Sequence, residues 1–132
     1  MPASPVLVDS SWYITMAKRS YDPLILLDRI AEVRDVATCG VIRCEVARGL
    51  RDRKVLREFQ AAWDVMQYVP TDNQFWLEVE NFAWELDRAI GGALPLADIA
   101  IACCARRIGA VVLTFDQHFT RIPGIVAVNQ IV

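Results

Sequence analysis

Two hydrophobic periods alternate along this chain. Val6-Leu7-Val8, Val36-Ala37-Thr38-Cys39, Val111-Val112-Leu113-Thr114 and Ile125-Val126-Ala127-Val128 are short runs with little polar alternation, as strands covered on both faces require. Tyr68-Val69-Pro70 reads as a further short strand, closed by proline. Helical patterns lie between them. Ser10 and Ser11 are placed to cap a short helix over 12–18. Asp22-Pro23 forms an N-cap and first-turn pair ahead of 24–32, where Leu24, Leu27, Asp28 and Ala31 share a face. Gly40 turns the chain into a helix over about 41–49. Residues 51–66 carry the stripe Val55, Phe59, Ala62, Trp63 and Met66. Thr71-Asp72-Asn73-Gln74 fits a capping box opening a helix over 72 to about 88.

One helix differs from the rest. From Leu94 to Ala105 it is apolar on nearly every face and should be buried. Pro95 suits its first turn, Arg106 and Arg107 its last, and Gly109 stops it. Its lone ionisable residue up to Ala105 is Asp98. A carboxylate there either faces the positive end of the helix dipole or reaches a site that holds positive charge. Phe115 to Phe119 and Pro123-Gly124 read as turns.

Strands alternating with helices imply a parallel α/β sheet of four to five short strands flanked by helices, in one domain over 1–132. Hydrophobic residues make up 55% of the chain and the mean hydropathy is +0.28, a surplus that points to an interface between copies. No apolar run approaches the roughly 18 residues of a membrane span. Met1-Pro2-Ala3-Ser4-Pro5 has no basic segment and leads directly into a strand, unlike a signal peptide. The net charge of −2 argues against a protein that coats nucleic acid non-specifically, though not against a local basic rim. Cys39, Cys44, Cys103 and Cys104 sit in apolar segments without a zinc-binding spacing. Buried free thiols and a reducing cytoplasm are therefore expected.

In parallel sheets the functional crevice lies at the carboxyl ends of the strands. Asp9 ends the first strand. Glu45 lies about a turn and a half into the helix leaving the second, and Asp116 lies just past Thr114. The Asp98 helix joins the 111–114 strand through Gly109-Ala110, so it runs antiparallel to it and returns Asp98 to the same edge. Separately, Asp9 can cap a helix, Glu45 can be a solvated helix residue and Asp116 can serve a turn. Together, crowded carboxylates repel unless a cation relieves them. Oxygen donors with no histidine among them favour a hard ion, Mg²⁺ or Mn²⁺, which suits hydrolysis of a phosphodiester.

The segments Val6-Leu7-Val8-Asp9-Ser10-Ser11-Trp12, Cys44-Glu45-Val46-Ala47-Arg48-Gly49, Leu94-Pro95-Leu96-Ala97-Asp98-Ile99 and Leu113-Thr114-Phe115-Asp116-Gln117-His118-Phe119 resemble those of the PIN-domain ribonucleases. In particular they resemble the small VapC-like toxins of prokaryotic toxin–antitoxin pairs, over about residues 6 to 128. The ordered set of four acids carries the likeness, with the ending from Asp116 to Gly124. The resemblance implies a three-layer PIN-like fold, with Asp9, Glu45, Asp98 and Asp116 as metal-binding and catalytic acids and Ser10 in the hydroxyl-bearing position after the first. It also implies magnesium-dependent cleavage of RNA, often transfer or ribosomal RNA, leaving a 5′-phosphate and a 3′-hydroxyl. A VapB-like antitoxin that inserts at the active site and a homodimeric toxin are implied as partners. Ala93-Leu94-Pro95 departs from the more charged approach to the Asp98 helix common in relatives.

Other classes fit less well. A haloacid-dehalogenase-type phosphatase needs a second aspartate where Ser11 stands, and a receiver domain needs a lysine that 111–119 lacks. The remaining alternative is a catalytically silent PIN-like module that binds protein or RNA. Arg43, Arg48, Arg51 and Arg53 belong to the densest basic stretch and are candidates to hold RNA phosphates, or else form an ordinary solvated surface. Among the aromatics of 52–88, most should enter the core. Trp76 and Trp84, eight apart on one side of their helix, suit a second surface where a partner anchors.

Overall fold

Runs that are apolar on both sides can be covered only as central strands of a layered sheet, and this is how the chain uses them. A computed structural model describes residues 3–131; Met1 and Pro2, part of the segment read above for a signal peptide, lie outside the described residues, as does Val132. The strands are β1 (Val6–Val8), β2 (Val36–Cys39), β3 (Gln67–Val69), β4 (Val111–Leu113) and β5 (Ala127–Val128). They form one sheet in the order β3-β2-β1-β4-β5, and every pairing is parallel. β1 is central, with Val6 level with Val36 on one side and Val111 on the other. All residues of β1 and β2 are buried, whereas β3 and β5, at the edges, are only partly so.

Among the described residues, six α-helices flank the sheet: α1 (Ser10–Lys18), α2 (Pro23–Ala31), α3 (Gly40–Ala47), α4 (Arg53–Asp64), α5 (Asn73–Ile90) and α6 (Leu96–Ile108). α6 is the buried helix the sequence calls for, with every residue from Asp98 to Ala105 buried. It packs against α5 and α3, and α3 in turn against α1. Gly109 ends it at φ +63°, a left-handed conformation that glycine adopts without a steric cost. Among the described residues, no helix is long and apolar enough to cross a membrane.

Several local expectations need correcting. The cap of α1 is Asp9, whose carboxylate accepts from the Ser11 N–H, so the helix starts at Ser10 and the serines lie inside it. The buried face of α2 is Pro23, Leu27 and Ile30; Asp28 and Ala31 are exposed because the helix is turned by most of a residue step from the face expected. Asp72, rather than Thr71, caps α5 by accepting from the Phe75 N–H at 2.9 Å, and α5 runs on to Ile90. Pro95 is the cap of α6 instead of its first residue, and the 115–119 turn includes the start of a 3-10 helix, Gln117–Arg121. All four cysteines are free thiols, but Cys44 is exposed, since Ile42 and Val46 take the inward side of α3.

The aromatics divide as α5's two apolar sides imply. Phe75, Val79 and Leu86 enter the core, while Trp76 (42% exposed) and Trp84 (60%) stay outside. Trp12, Tyr13, Phe59 and Trp63 stack edge-on or tilted and join α1 to α4. Within this cluster the Trp63 indole N–H donates to the Tyr13 hydroxyl at 3.1 Å, both groups being buried. Tyr13→Phe strands that N–H away from water, so it is expected to lower stability by about 1–3 kcal/mol in urea unfolding. A change of less than a few tenths would show that the bond contributes nothing.

Candidate active site

The parallel sheet delivers its strand ends to one edge, and helix caps then aim the acids. Asp9 leaves β1 as the cap of α1, and Asp116 follows β4 as the cap of the 3-10 helix, accepting from the His118 N–H at 2.9 Å. Asp98 occupies the first turn of α6, and Glu45 the second turn of α3. The modest roles weighed for three of these acids are thus real, and the same backbone geometry brings them to a common mouth.

Asp9 is 2% exposed, and no ion pair to it is present among the described residues. Its Oδ2 accepts from the Ser11 hydroxyl at 2.6 Å, the Thr114 hydroxyl at 2.8 Å and the Ser11 N–H at 3.3 Å. Each hydroxyl is itself held, Ser11 by the Phe115 N–H and Thr114 by the Asp116 N–H. One carboxylate oxygen is therefore committed to the fold, and no hydrogen bond to the other is present among the described residues. Ser10, the neighbour in sequence, donates instead to Glu45 Oε1 at 3.0 Å.

Asp98 and Asp116 come closest together. With His118 they offer ligand atoms within 4.8 Å of one another. The His118 Nδ1 lies 2.8 Å from Asp98 Oδ2 and 3.0 Å from Asp116 Oδ1. Burial pushes the Asp98 carboxyl up to about 6, with repulsion from Asp116 and Asp9 adding to it and the His118 hydrogen bond opposing. Burial likewise raises Glu45, with the Ser10 bond opposing and the charges of Asp9 and Asp116 adding. The hydrogen bond to Asp98 raises His118 above its ordinary value. Four acids thus share one electrostatic field, but only two form the tight cluster; Asp9 and Glu45 stand outside it.

Three residues at this mouth were given no site role by the sequence: His118, Ser11 and Thr114. The acid set was expected without histidine, and the structure sets His118 beside two of its members. The signal available was the Asp116-x-His118 spacing, which lets a capped tight turn fold the ring back over its own cap. The basic candidates are dispersed. Arg43 is ion-paired with Asp64 at 3.1 Å and lies over the rings of Trp63 and Tyr68, so its charge is spent within the fold. Arg48, Arg51 and Arg53 are exposed: Arg48 caps the end of α3 one turn beyond Glu45, whose charged form it favours, while Arg51 lies in the link to α4 and Arg53 begins that helix.

A parallel sheet in this strand order, with acids gathered at the carboxyl edge, defines an α/β protein with a charged crevice at its strand ends. The PIN domain family model matches residues 6–125, and the chain belongs to that family. It is 29% identical over 107 residues to Ribonuclease VapC21 of Mycobacterium tuberculosis, covering 75% of this chain and 73% of that protein. Among solved structures, DNA-bound VapBC from Salmonella typhimurium superposes with a TM-score of 0.75 at 21% identity, covering 96% of this chain and 98% of that one. VapBC2 from Rickettsia felis, bound to a promoter DNA fragment, gives 0.70 at 17%, covering 93% and 96%. These likenesses establish the PIN-like α/β fold.

The raised Asp98 carboxyl has a sign that can be tested. Between its ordinary 3.8 and about 6 the folded protein holds a proton that the unfolded chain has lost, so stability falls as pH rises through this window. In metal-free protein, Asp98→Asn is expected to gain on the wild type from about pH 4 to 6 and to keep a constant advantage above. At about 1.4 kcal/mol per unit, that advantage is no more than about 3 kcal/mol. Parallel stability–pH curves for the two proteins would contradict the burial of a charged Asp98.

Proposed function

We propose that this chain is a metal-dependent endoribonuclease, a VapC-like toxin that hydrolyses RNA phosphodiester bonds and is held in check by a cognate VapB-like antitoxin. The observation that carries the reading is the convergence of Asp98 and Asp116, flanked by Asp9 and Glu45, at the sheet's carboxyl edge. The likeness to Ribonuclease VapC21 supports the activity, and the VapBC assemblies among the solved relatives support the antitoxin. Transfer or ribosomal RNA is the expected substrate class.

The donor set fits a hard divalent cation. Asp98 and Asp116 would hold it, with Asp9 offering its uncommitted oxygen and Glu45 completing the acidic wall. When bound, Mg²⁺ or Mn²⁺ would supply charge neutralisation at the phosphate and a more acidic water. The residues of the chain do the rest. Ser10 fixes one oxygen of Glu45 and leaves the other to accept a proton from the attacking water. Ser11 and Thr114 prevent Asp9 from rotating. Arg48, Arg51 and Arg53 hold phosphates of an RNA strand that leaves the mouth along α3. The exposed side of α5 with Trp76, Leu77 and Trp84 serves self-association into a homodimer. A cytoplasmic location follows from an RNA substrate.

One observation favours a second reading. The His118 ring already bridges Asp98 and Asp116, so the pair is partly neutralised without metal, as a silent RNA- or protein-binding module would require. The two readings part on metal. For the nuclease, Mn²⁺ raises the melting temperature of the wild type, Asp98→Asn loses that rise, and cleavage of cellular RNA falls at least 100-fold in the variant. A wild-type melt indifferent to Mg²⁺ and Mn²⁺, or full activity in Asp98→Asn, would reject it. For the RNA path, neutralising Arg51 and Arg53 together should flatten the slope of log K against log salt by about one to two. An unchanged slope would remove both from the contact surface.

A further inference from the structure

A cavity of about 420 Å³ opens directly beside Asp116, between the loop that leaves β4 and the chain that follows β5. Its size lies within the roughly 300–1,000 Å³ range of small-ligand sites. Its apolar lining comes from Phe115, Ala127 and Val128. Its polar lining is neutral apart from Asp116 and includes Gln117 and Asn129. No lysine, arginine or histidine lines it.

This chemistry excludes some occupants and selects another. A phosphate would meet no cation and one carboxylate, and a metal ion would find no second acid. A purely apolar group would leave the amides dry and unpaired. What fits is a flat group with apolar faces and a hydrogen-bonding edge. The side-chain amides of Gln117 and Asn129 make no hydrogen bond within the described residues. Each amide offers both a donor and an acceptor, the pairing that base edges present. The backbone on both sides is fixed: the Thr120 hydroxyl donates to the Gln117 carbonyl at 2.7 Å, and the Thr114 N–H donates to the Val128 carbonyl at 2.8 Å. The reading amides therefore stand on anchored chain rather than on a free tail.

We propose that this cavity receives one unpaired nucleobase next to the scissile phosphate, and that Gln117 and Asn129 read its edge. The inference rests on the nuclease reading and adds to it a source of sequence preference. Sequence-specific reading of RNA works on splayed, single-stranded bases, stacked on a face and bonded at an edge. Asp116 marks the distance: a base seated here belongs to a nucleotide whose phosphate lies at the acidic mouth.

The test maps cut sites on a randomised single-stranded RNA with wild type and with the Gln117→Ala/Asn129→Ala double variant, alongside Mn²⁺ melts of both. The wild type is expected to prefer one base at one position beside the cut. The double variant should flatten that preference about tenfold or more, the discrimination a good pair of base contacts gives, while its melting shift with Mn²⁺ stays at the wild-type value. As a binding readout, Asp98→Asn protein should bind short labelled strands with the same base preference, and lose it when Gln117→Ala and Asn129→Ala are added. A wild type that cleaves without base preference, or a double variant that keeps it, overturns the assignment of the cavity alone. A wild type with neither cleavage nor a metal shift overturns the nuclease reading, and the cavity assignment falls with it.

Discussion

A buried carboxylate must be satisfied by hydrogen-bond donors, and Asp9 sets this condition on the rest of the molecule through one of its oxygens. Its Oδ2 is met by hydroxyls from α1 and from the end of β4, so the central strand, the first helix and the fourth strand have to agree in register to within a hydrogen bond. The Thr114 hydroxyl that serves Asp9 also takes the Asp116 N–H. One buried acid thus fixes the start of the loop that carries another. Losing a single donor from such a site leaves a charged oxygen underpaired, typically a cost of about 1–3 kcal/mol or more.

The fold was legible because it follows from short-range chemistry. Runs such as Val6-Leu7-Val8 have no polar face, and Gly109-Ala110 is too short to let α6 do anything but reverse against β4. The convergence of four acids follows from those two facts with the rule for parallel sheets. What sequence could not resolve were choices between near-equal partners. Ser10, Ser11 and Asp9 are all good caps, and the acid took the role because the strand already placed it one residue ahead of the helix. Thr71 and Asp72 present the same ambiguity, resolved by reach to the Phe75 N–H. Ser11 and Thr114 lie over a hundred positions apart, and only the β1–β4 register makes them neighbours. Arg43 looked like its basic neighbours, yet Asp64, Trp63 and Tyr68 enclose it.

His118 shows a different limit. Its residue type alone does not make it a neighbour of the acids. Geometry made it a partner through a capped turn: the Asp116 carboxylate draws in the His118 backbone N–H, and the ring then falls within reach of both Asp116 and Asp98. A positive or hydrogen-bearing group between two crowded acids lowers their mutual repulsion, so the same ring steadies α6 against the loop after β4.

The span between Asp9 and Thr114 has a temporal meaning. The bond joins residues separated by 105 positions, and the acids it organises, Asp9 and Asp116, are as widely separated in sequence. Synthesis proceeds from the N-terminus at about 5–20 residues per second. While the first hundred residues emerge, β1 has β2 on one side and nothing on the other, Asp9 has no Thr114 and Asp98 has no Asp116. A half-made copy therefore has no assembled mouth. The acidic centre comes into being only once residues 111–116 have been made, when whatever is to bind it can already be waiting.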